Sequence, residues 1–136
     1  LLVPNSSIKA ANDKAVQILT QGLVRLGILN GDVESLIEQK AYRQFYMHGL
    51  GHWLGLDVHD VGDYGTERDR PLQIGMVLTV EPGIYIPKDA DVPEQYKGIG
   101  IRIEDNLLIT EYGNKNLSSG CPKEIADVEQ LMQSLN

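Results

Sequence analysis

The chain has 136 residues, of which 42% are hydrophobic and 23% charged, and a formal net charge of -7 at pH 7. That length suits one domain with one hydrophobic core. The acidity argues against nucleic acid, whose binders need a basic patch, and against an anionic membrane surface, and the longest apolar runs are too short to span a bilayer. A single cysteine, Cys121, admits no internal disulfide and fits a reducing, cytoplasmic compartment. No charged stretch followed by an apolar core opens the chain as a signal peptide would, and a chain that opens on Leu1 reads as a piece of something longer.

Ser6 and Ser7 are N-cap candidates for a first helix, in which Ile8, Ala11, Ala15, Ile18, Leu19, Leu23 and Leu26 recur at helical spacing and Gly27 is the stop. A second helix is predicted from Asp32, with Val33, Leu36 and Ile37 on its apolar face. Both helices read as packing elements. From Tyr46 onward glycines multiply and β-branched runs appear. Met76–Glu81 and Ile84–Ile86 read as strands broken by Pro82-Gly83, and Ile99–Glu104 and Leu107–Thr110 as another pair. Gly62–Pro71 and Pro87–Lys97 are polar loops, and Tyr112-Gly113-Asn114 is a turn. Pro122 is placed in the first turn of a last helix striped by Ile125, Val128, Leu131 and Met132. The order is α+β with antiparallel strands.

All three histidines fall in one short window, His48, His52 and His59. A lone histidine is more often a satisfied core residue than a ligand, but three so close together weaken that reading. His48 and His52 have the spacing of a zincin pair without its glutamate, since Gly49 and Gly51 lie between them. Glycine is costly inside a helix, so a looped or extended backbone passing close to a ligand is expected.

Two carboxylates end apolar runs. Glu81 follows Met76-Val77-Leu78-Thr79-Val80, and Glu104 follows Ile99-Gly100-Ile101-Arg102-Ile103. Alternation puts the three isoleucines on one face and Gly100, Arg102 and Glu104 on the other. A carboxylate in such a strand needs a partner, because burial alone costs about several kcal/mol. Arg102 is the bland partner for Glu104, but Glu81 has no basic neighbour in sequence. A metal shared by His52, Glu81 and Glu104 accounts for both acids, and such a mixed N/O set suits Mn, Zn, Fe or Co.

These residues carry a resemblance. His48-Gly49-Leu50-Gly51-His52, Asp57-Val58-His59-Asp60-Val61-Gly62, Val80-Glu81-Pro82-Gly83-Ile84-Tyr85 and Gly100-Ile101-Arg102-Ile103-Glu104-Asp105 resemble, in order, the motifs of the Xaa-Pro aminopeptidases (aminopeptidase P). These belong to the pita-bread metallopeptidases, with prolidase, creatinase and methionine aminopeptidase as relatives. The resemblance implies the C-terminal half of a pita-bread fold, an antiparallel curved sheet with helices packed on one face. Residues 1–136 would be a single domain, the C-terminal portion of a metallopeptidase catalytic domain whose upstream half is absent.

The resemblance also implies roles. His52 is a metal ligand, Glu104 bridges two metals, and Glu81 is a terminal ligand near the attacking water. His48 and His59 are non-ligand histidines that contact substrate and the developing oxyanion, and Arg102 holds the acid cluster. Asp57, Asp60 and Asp105 have no ligand role. The implied activity is release of an N-terminal residue that precedes proline, by attack of a hydroxide bridging two divalent metals. Mn leads among these metals, with Zn, Co or Fe as alternatives. The family's other ligands are two aspartates lying upstream, and residues 1–47 hold only Asp13, Asp32 and no histidine. The chain alone is therefore expected to bind one metal or none and to be inactive. Its expected partners are peptides with proline second, the missing half of the same protein, and further copies of itself. The alternatives are a prolidase-like Xaa-Pro dipeptidase and a non-catalytic pita-bread binding module.

Overall fold

A computed structural model describes residues 1–134. Helix α1 spans Ile8–Arg25. Ser7 starts it by accepting the Ala10 N–H on its hydroxyl at 3.2 Å. It ends in a Schellman motif, with Gly27 at φ +68, its N–H on the Val24 carbonyl and the Ile28 N–H on the Leu23 carbonyl. Helix α2, Val33–Glu38, is capped by Asp32, which accepts the Ser35 N–H at 3.0 Å. Both starts and the glycine stop agree with the sequence reading.

The strands are β1 (Val77–Val80), β2 (Gly83–Tyr85), β3 (Gly100–Arg102), β4 (Asp105–Thr110) and β5 (Gly113–Asn116). All pairings are antiparallel, with one sheet in the order β1-β4-β5 and a two-stranded sheet of β2 and β3. This adds a strand to the expected four. The turn is at Glu111-Tyr112, and Gly113 and Asn114 already belong to β5, where they pair with Thr110 and Ile109. The expected strand Ile99–Glu104 stops at Arg102. Pro122 lies outside the last helix, α3, which begins at Ile125; Lys123 instead donates to the Ser118 and Cys121 carbonyls and holds the segment before it.

The two sheets share one register. In the first, Val80 faces Asp105, and in the second Gly83 faces Arg102. Continuing either ladder across the break sets Glu81 opposite Glu104 and Pro82 opposite Ile103. The ladder breaks there because Pro82 has no N–H to donate. The result is one long antiparallel ribbon, interrupted at the two glutamates.

The segment from Leu50 to Leu54 runs along the other edge of β1. Glu81 N–H donates to the Leu50 carbonyl at 2.7 Å, Thr79 N–H to His52 at 2.9 Å, and Leu54 N–H to Val77 at 3.1 Å. Trp53 and Leu78 form an antiparallel bridge within this run. The stretch around His48 and His52 is thus extended, as its glycines predict.

Helix α1 ties the parts together. Its N-terminal Ile8 and Ala11 join Leu50, Trp53, Leu78 and Ile109 in one core cluster, and its C-terminal Leu23 joins Ile28, Leu36, Phe45 and Ile86 in a second. Each such burial is worth about 1.5–3 kcal/mol for a large apolar side chain. Ile18 within the helix and Leu26 at its C-cap stay half exposed and, with Ile99, Ile101 and Ile103, line an open apolar groove of about 570 Å³. Helix α3 buries none of its residues, so the predicted stripe is present but faces outward. Among the described residues, no helix is long and apolar enough to cross a membrane.

Candidate metal centre

The pairing rules of antiparallel sheets place the site. His52 lies opposite Thr79, Thr79 and Glu81 are two apart on β1 and share a face, and Glu81 lies opposite Glu104. All three candidate ligands therefore project from one face of the ribbon. Their ligand atoms lie within 4.8 Å of one another, with Glu81 buried, His52 half buried and Glu104 exposed.

Hydrogen bonds orient each donor. The Trp53 carbonyl lies 2.9 Å from His52 Nδ1. A carbonyl can only accept, so Nδ1 carries the proton and Nε2 presents its lone pair toward Glu81 Oε1, 3.1 Å away. Two electron-pair donors aimed at each other repel unless a proton or a metal cation lies between them. The opposed glutamates pose the same problem, since like charges directly across a ladder are destabilising. A divalent metal relieves both, and one imidazole with two carboxylates is a donor set that fits it.

Thr79, buried to 1% exposure, sits beneath the cluster. Its hydroxyl accepts the His52 N–H at 3.0 Å and donates to Glu81 Oε1 at 3.1 Å. The other Glu81 oxygen receives Arg102 Nη1 at 3.3 Å. The bland alternative weighed from sequence, Arg102 with Glu104, is not the pair formed: Arg102 pairs with Glu81, which had no basic neighbour in sequence. Alternation had correctly put Arg102 on the glutamates' face, but cross-strand register decides which acid it reaches.

Tyr85 and Arg102 form a directed chain. The Gly49 carbonyl, 2.8 Å from His48 Nδ1, fixes the proton on that nitrogen. His48 Nε2 must then accept, so the Tyr85 hydroxyl donates to it at 3.0 Å, while Arg102 Nε donates to the Tyr85 oxygen at 2.5 Å. That bond is the largest influence raising the Arg102 guanidinium above its usual value. Gly83 makes room, because a Cβ there would stand 2.5 Å from the Tyr85 hydroxyl. His59 sits on an exposed loop with its ring edge-on to His52, centroids 4.3 Å apart.

His48, His52, His59, Glu81 and Arg102 line one open cleft of about 360 Å³. Sequence reasoning missed Arg68, Thr79 and Tyr85. Arg68 closes one wall of the cleft by donating from Nη2 to the Gly51 carbonyl at 2.6 Å, and its guanidinium lies over the Tyr64 ring. Of the three, only Tyr85 carried a signal, a polar aromatic at a strand end inside one of the four motifs. Asp13 and Asp32 stay away from the cluster: Asp13 pairs with Lys9 and Asp32 caps α2.

Comparison with known proteins agrees with this geometry. Residues 6–111 match the model of metallopeptidase family M24. The chain belongs to that family. Xaa-Pro aminopeptidase from Haemophilus influenzae is 76% identical over 132 residues, which cover 97% of this chain and 31% of that protein. Xaa-Pro aminopeptidase from Escherichia coli is 60% identical, with 95% of this chain and 29% of that protein covered. Among solved structures, E. coli aminopeptidase P with the inhibitor Pro-Leu superposes with a TM-score of 0.95 at 59% identity, covering 98% of this chain and 30% of that one. The Zn-substituted E. coli enzyme in complex with product gives 0.96 at 58% identity. The M24 chain described here therefore has the α+β architecture of the pita-bread aminopeptidases and spans about a third of the relatives it matches.

Proposed function

We propose that this chain is the C-terminal portion of the catalytic domain of an Xaa-Pro aminopeptidase, and that His52, Glu81 and Glu104 supply part of a two-metal site. The observation that carries the reading is the convergence of an oriented imidazole and two opposed glutamates on one sheet face. The names and identities of the relatives support the substrate class.

The two divalent ions, with Mn the first choice and Zn, Co or Fe alternatives, would supply Lewis-acid activation of water and of the scissile carbonyl. The remaining steps fall to the chain. Glu81 is poised to accept a proton at a carboxylate oxygen from the attacking water while Thr79 and Arg102 hold that carboxylate still. The same carboxylate would return the proton to the proline nitrogen. An Xaa-Pro bond is a tertiary amide, and its nitrogen leaves as an amine only when protonated. His59, whose ring lies edge-on to His52, would donate to the oxygen that gains charge. His48, held by Tyr85, faces the same cleft and would contact substrate.

The rest of the ligand set, two aspartates, is assigned to the part of the protein that the relatives have and this chain does not span. The isolated chain is then a single inactive unit holding one metal or none. Its apolar groove beside α1 supports contact with that missing part or with further copies. A cytoplasmic location belongs to the same reading, supported by the exposed free thiol of Cys121.

The test is peptide cleavage by the full-length protein and by residues 1–136, each with added Mn. Release of the first residue from Ala-Pro-Gly but not from Ala-Ala-Gly, lost on chelation and absent in the fragment, is expected. Cleavage of dipeptides alone would favour the prolidase-like alternative, and metal-bound protein that cleaves nothing would favour a binding module.

A further inference from the structure

A second cavity, of about 290 Å³, adjoins the catalytic cleft, and the two share His48, Gly49 and Arg68 as walls. Gly49 is exposed and carries no side chain, and the Arg68 guanidinium stands over it, 3.4 Å from where a Cβ would lie. The cavity's charge runs against the molecule's. The chain has a net charge of -7, yet this lining carries Lys9, Lys40, Arg43 and Arg68 against the single carboxylate of Glu67. Lys9 is committed to Asp13 at 2.8 Å, and Arg68 is committed to the Gly51 carbonyl. Lys40 and Arg43 are exposed, and among the described residues neither has an ion-pair partner. Lys40 also holds a left-handed backbone, φ +56, which non-glycine residues rarely adopt. That conformation starts the short 3-10 turn, Ala41–Gln44, which carries Arg43.

We propose that this cavity receives the substrate residues that follow the proline, and that Lys40 and Arg43 make it prefer a carboxylate there. The inference rests on the aminopeptidase reading and deepens it. A peptide whose proline lies against His48 has its next residues directed away from the candidate metal ligands, and the cavity that shares His48 and Gly49 with the cleft is the space open to them. Two uncommitted cations in its lining raise the local concentration of anionic peptides and favour a negative group once it is seated.

The full-length enzyme with Mn should be assayed on three peptides. Ala-Pro-Gln-Gly-amide is neutral beyond the proline, Ala-Pro-Glu-Gly-amide places the carboxylate on a side chain, and Ala-Pro-Gln with a free end places it at the terminus. At low salt, kcat/KM for one or both carboxylate peptides should exceed that for the neutral one about two- to tenfold, the scale of one or two exposed charge pairs. The comparison between the two says whether side chain or terminus is read. The preference should fall towards unity at high salt and in Lys40→Asn combined with Arg43→Gln, with Asn chosen because it tolerates the left-handed backbone. The salt series needs no variant, so it decides the matter even if the double substitution fails to fold. A preference that is absent in the wild type, insensitive to salt, or intact in a folded double variant would overturn the subsite alone. Failure to cleave any Xaa-Pro peptide would overturn the aminopeptidase reading and the subsite with it.

Discussion

Glu81 and Glu104 occupy facing positions of one antiparallel ribbon, at the point where Pro82 interrupts its ladder. Two carboxylates opposed in this way repel each other, and among the described residues the Arg102 guanidinium and the Thr79 hydroxyl are what Glu81 has to offset that. The arrangement is costly as a structural element and economical as a cation site. The first prediction follows from it. Glu81→Gln in the full-length protein keeps the side chain's shape but cannot accept or return a proton, so turnover should fall about a hundred- to ten-thousand-fold. KM should change much less. Steady-state kinetics on metal-saturated protein decides this, and a variant retaining more than about a tenth of wild-type turnover would show that Glu81 is neither proton carrier nor essential ligand.

Thr79 links the backbone of one candidate ligand, His52, to the carboxylate of another, Glu81, while fully buried. Thr79→Val keeps the volume and removes both hydrogen bonds, leaving the His52 N–H without its partner. A cost of about 1–3 kcal/mol in folding stability is expected, together with about a ten- to hundredfold loss of metal affinity or activity. Thr79→Ser should recover most of the affinity. Calorimetric titration of metal into the three proteins separates the outcomes: equal affinities would mean that Thr79 only fills space.

The Tyr85 hydroxyl is the hinge of the Arg102–Tyr85–His48 chain. Tyr85→Phe leaves His48 Nε2 and Arg102 Nε without that link while changing no charge. Activity of the full-length protein should drop about ten- to a hundredfold, the range seen when groups that orient site residues are removed. The melting temperature should move little, because Tyr85 is only half buried. Wild-type activity in the variant would mean that His48 needs no such support.

Gly51 is required by close approach rather than by backbone conformation. A Cβ there would stand 1.8 Å from the Thr79 carbonyl oxygen. That oxygen belongs to β1 and cannot move without breaking the pairing that positions His52. Gly51→Ala should therefore destabilise by about 3 kcal/mol or more, the tail of the single-mutation distribution. Urea unfolding checks it, and a shift below about 1 kcal/mol, the centre of that distribution, would mean that the loop can step aside.

Tyr46 is 1% exposed, its hydroxyl has no hydrogen-bond partner, and burial pushes its ionisation up to about 12 from 10.0. The charged form is the phenolate, so the raised value favours the neutral folded state. The stabilisation this represents is fully present below pH 10 and is lost as pH rises through about 12. Tyr46→Phe should abolish that alkaline loss. It should also raise stability at neutral pH by up to about 1–3 kcal/mol, the cost of an unsatisfied buried polar group. Denaturant midpoints measured at pH 8 and near pH 11 test both parts.

Much of this protein is determined by contacts between residues close in sequence. The Ser7 and Asp32 caps, the Gly27 stop and the non-helical, extended backbone around Gly49 and Gly51 follow from propensities acting within a few residues, and all of them are legible in the sequence. The candidate ligands His52, Glu81 and Glu104 were legible too, because acids in apolar runs and clustered histidines are anomalies that demand a partner. The tertiary structure decided what depends on register. The Glu81–Glu104 opposition, the transfer of Arg102 from its sequence neighbour to Glu81, the extra strand at Gly113 and the roles of Thr79 and Tyr85 all arise where strands distant in sequence are aligned. A slip of one residue in that alignment would turn every one of these side chains to the other face, and no local pattern records which alignment is adopted.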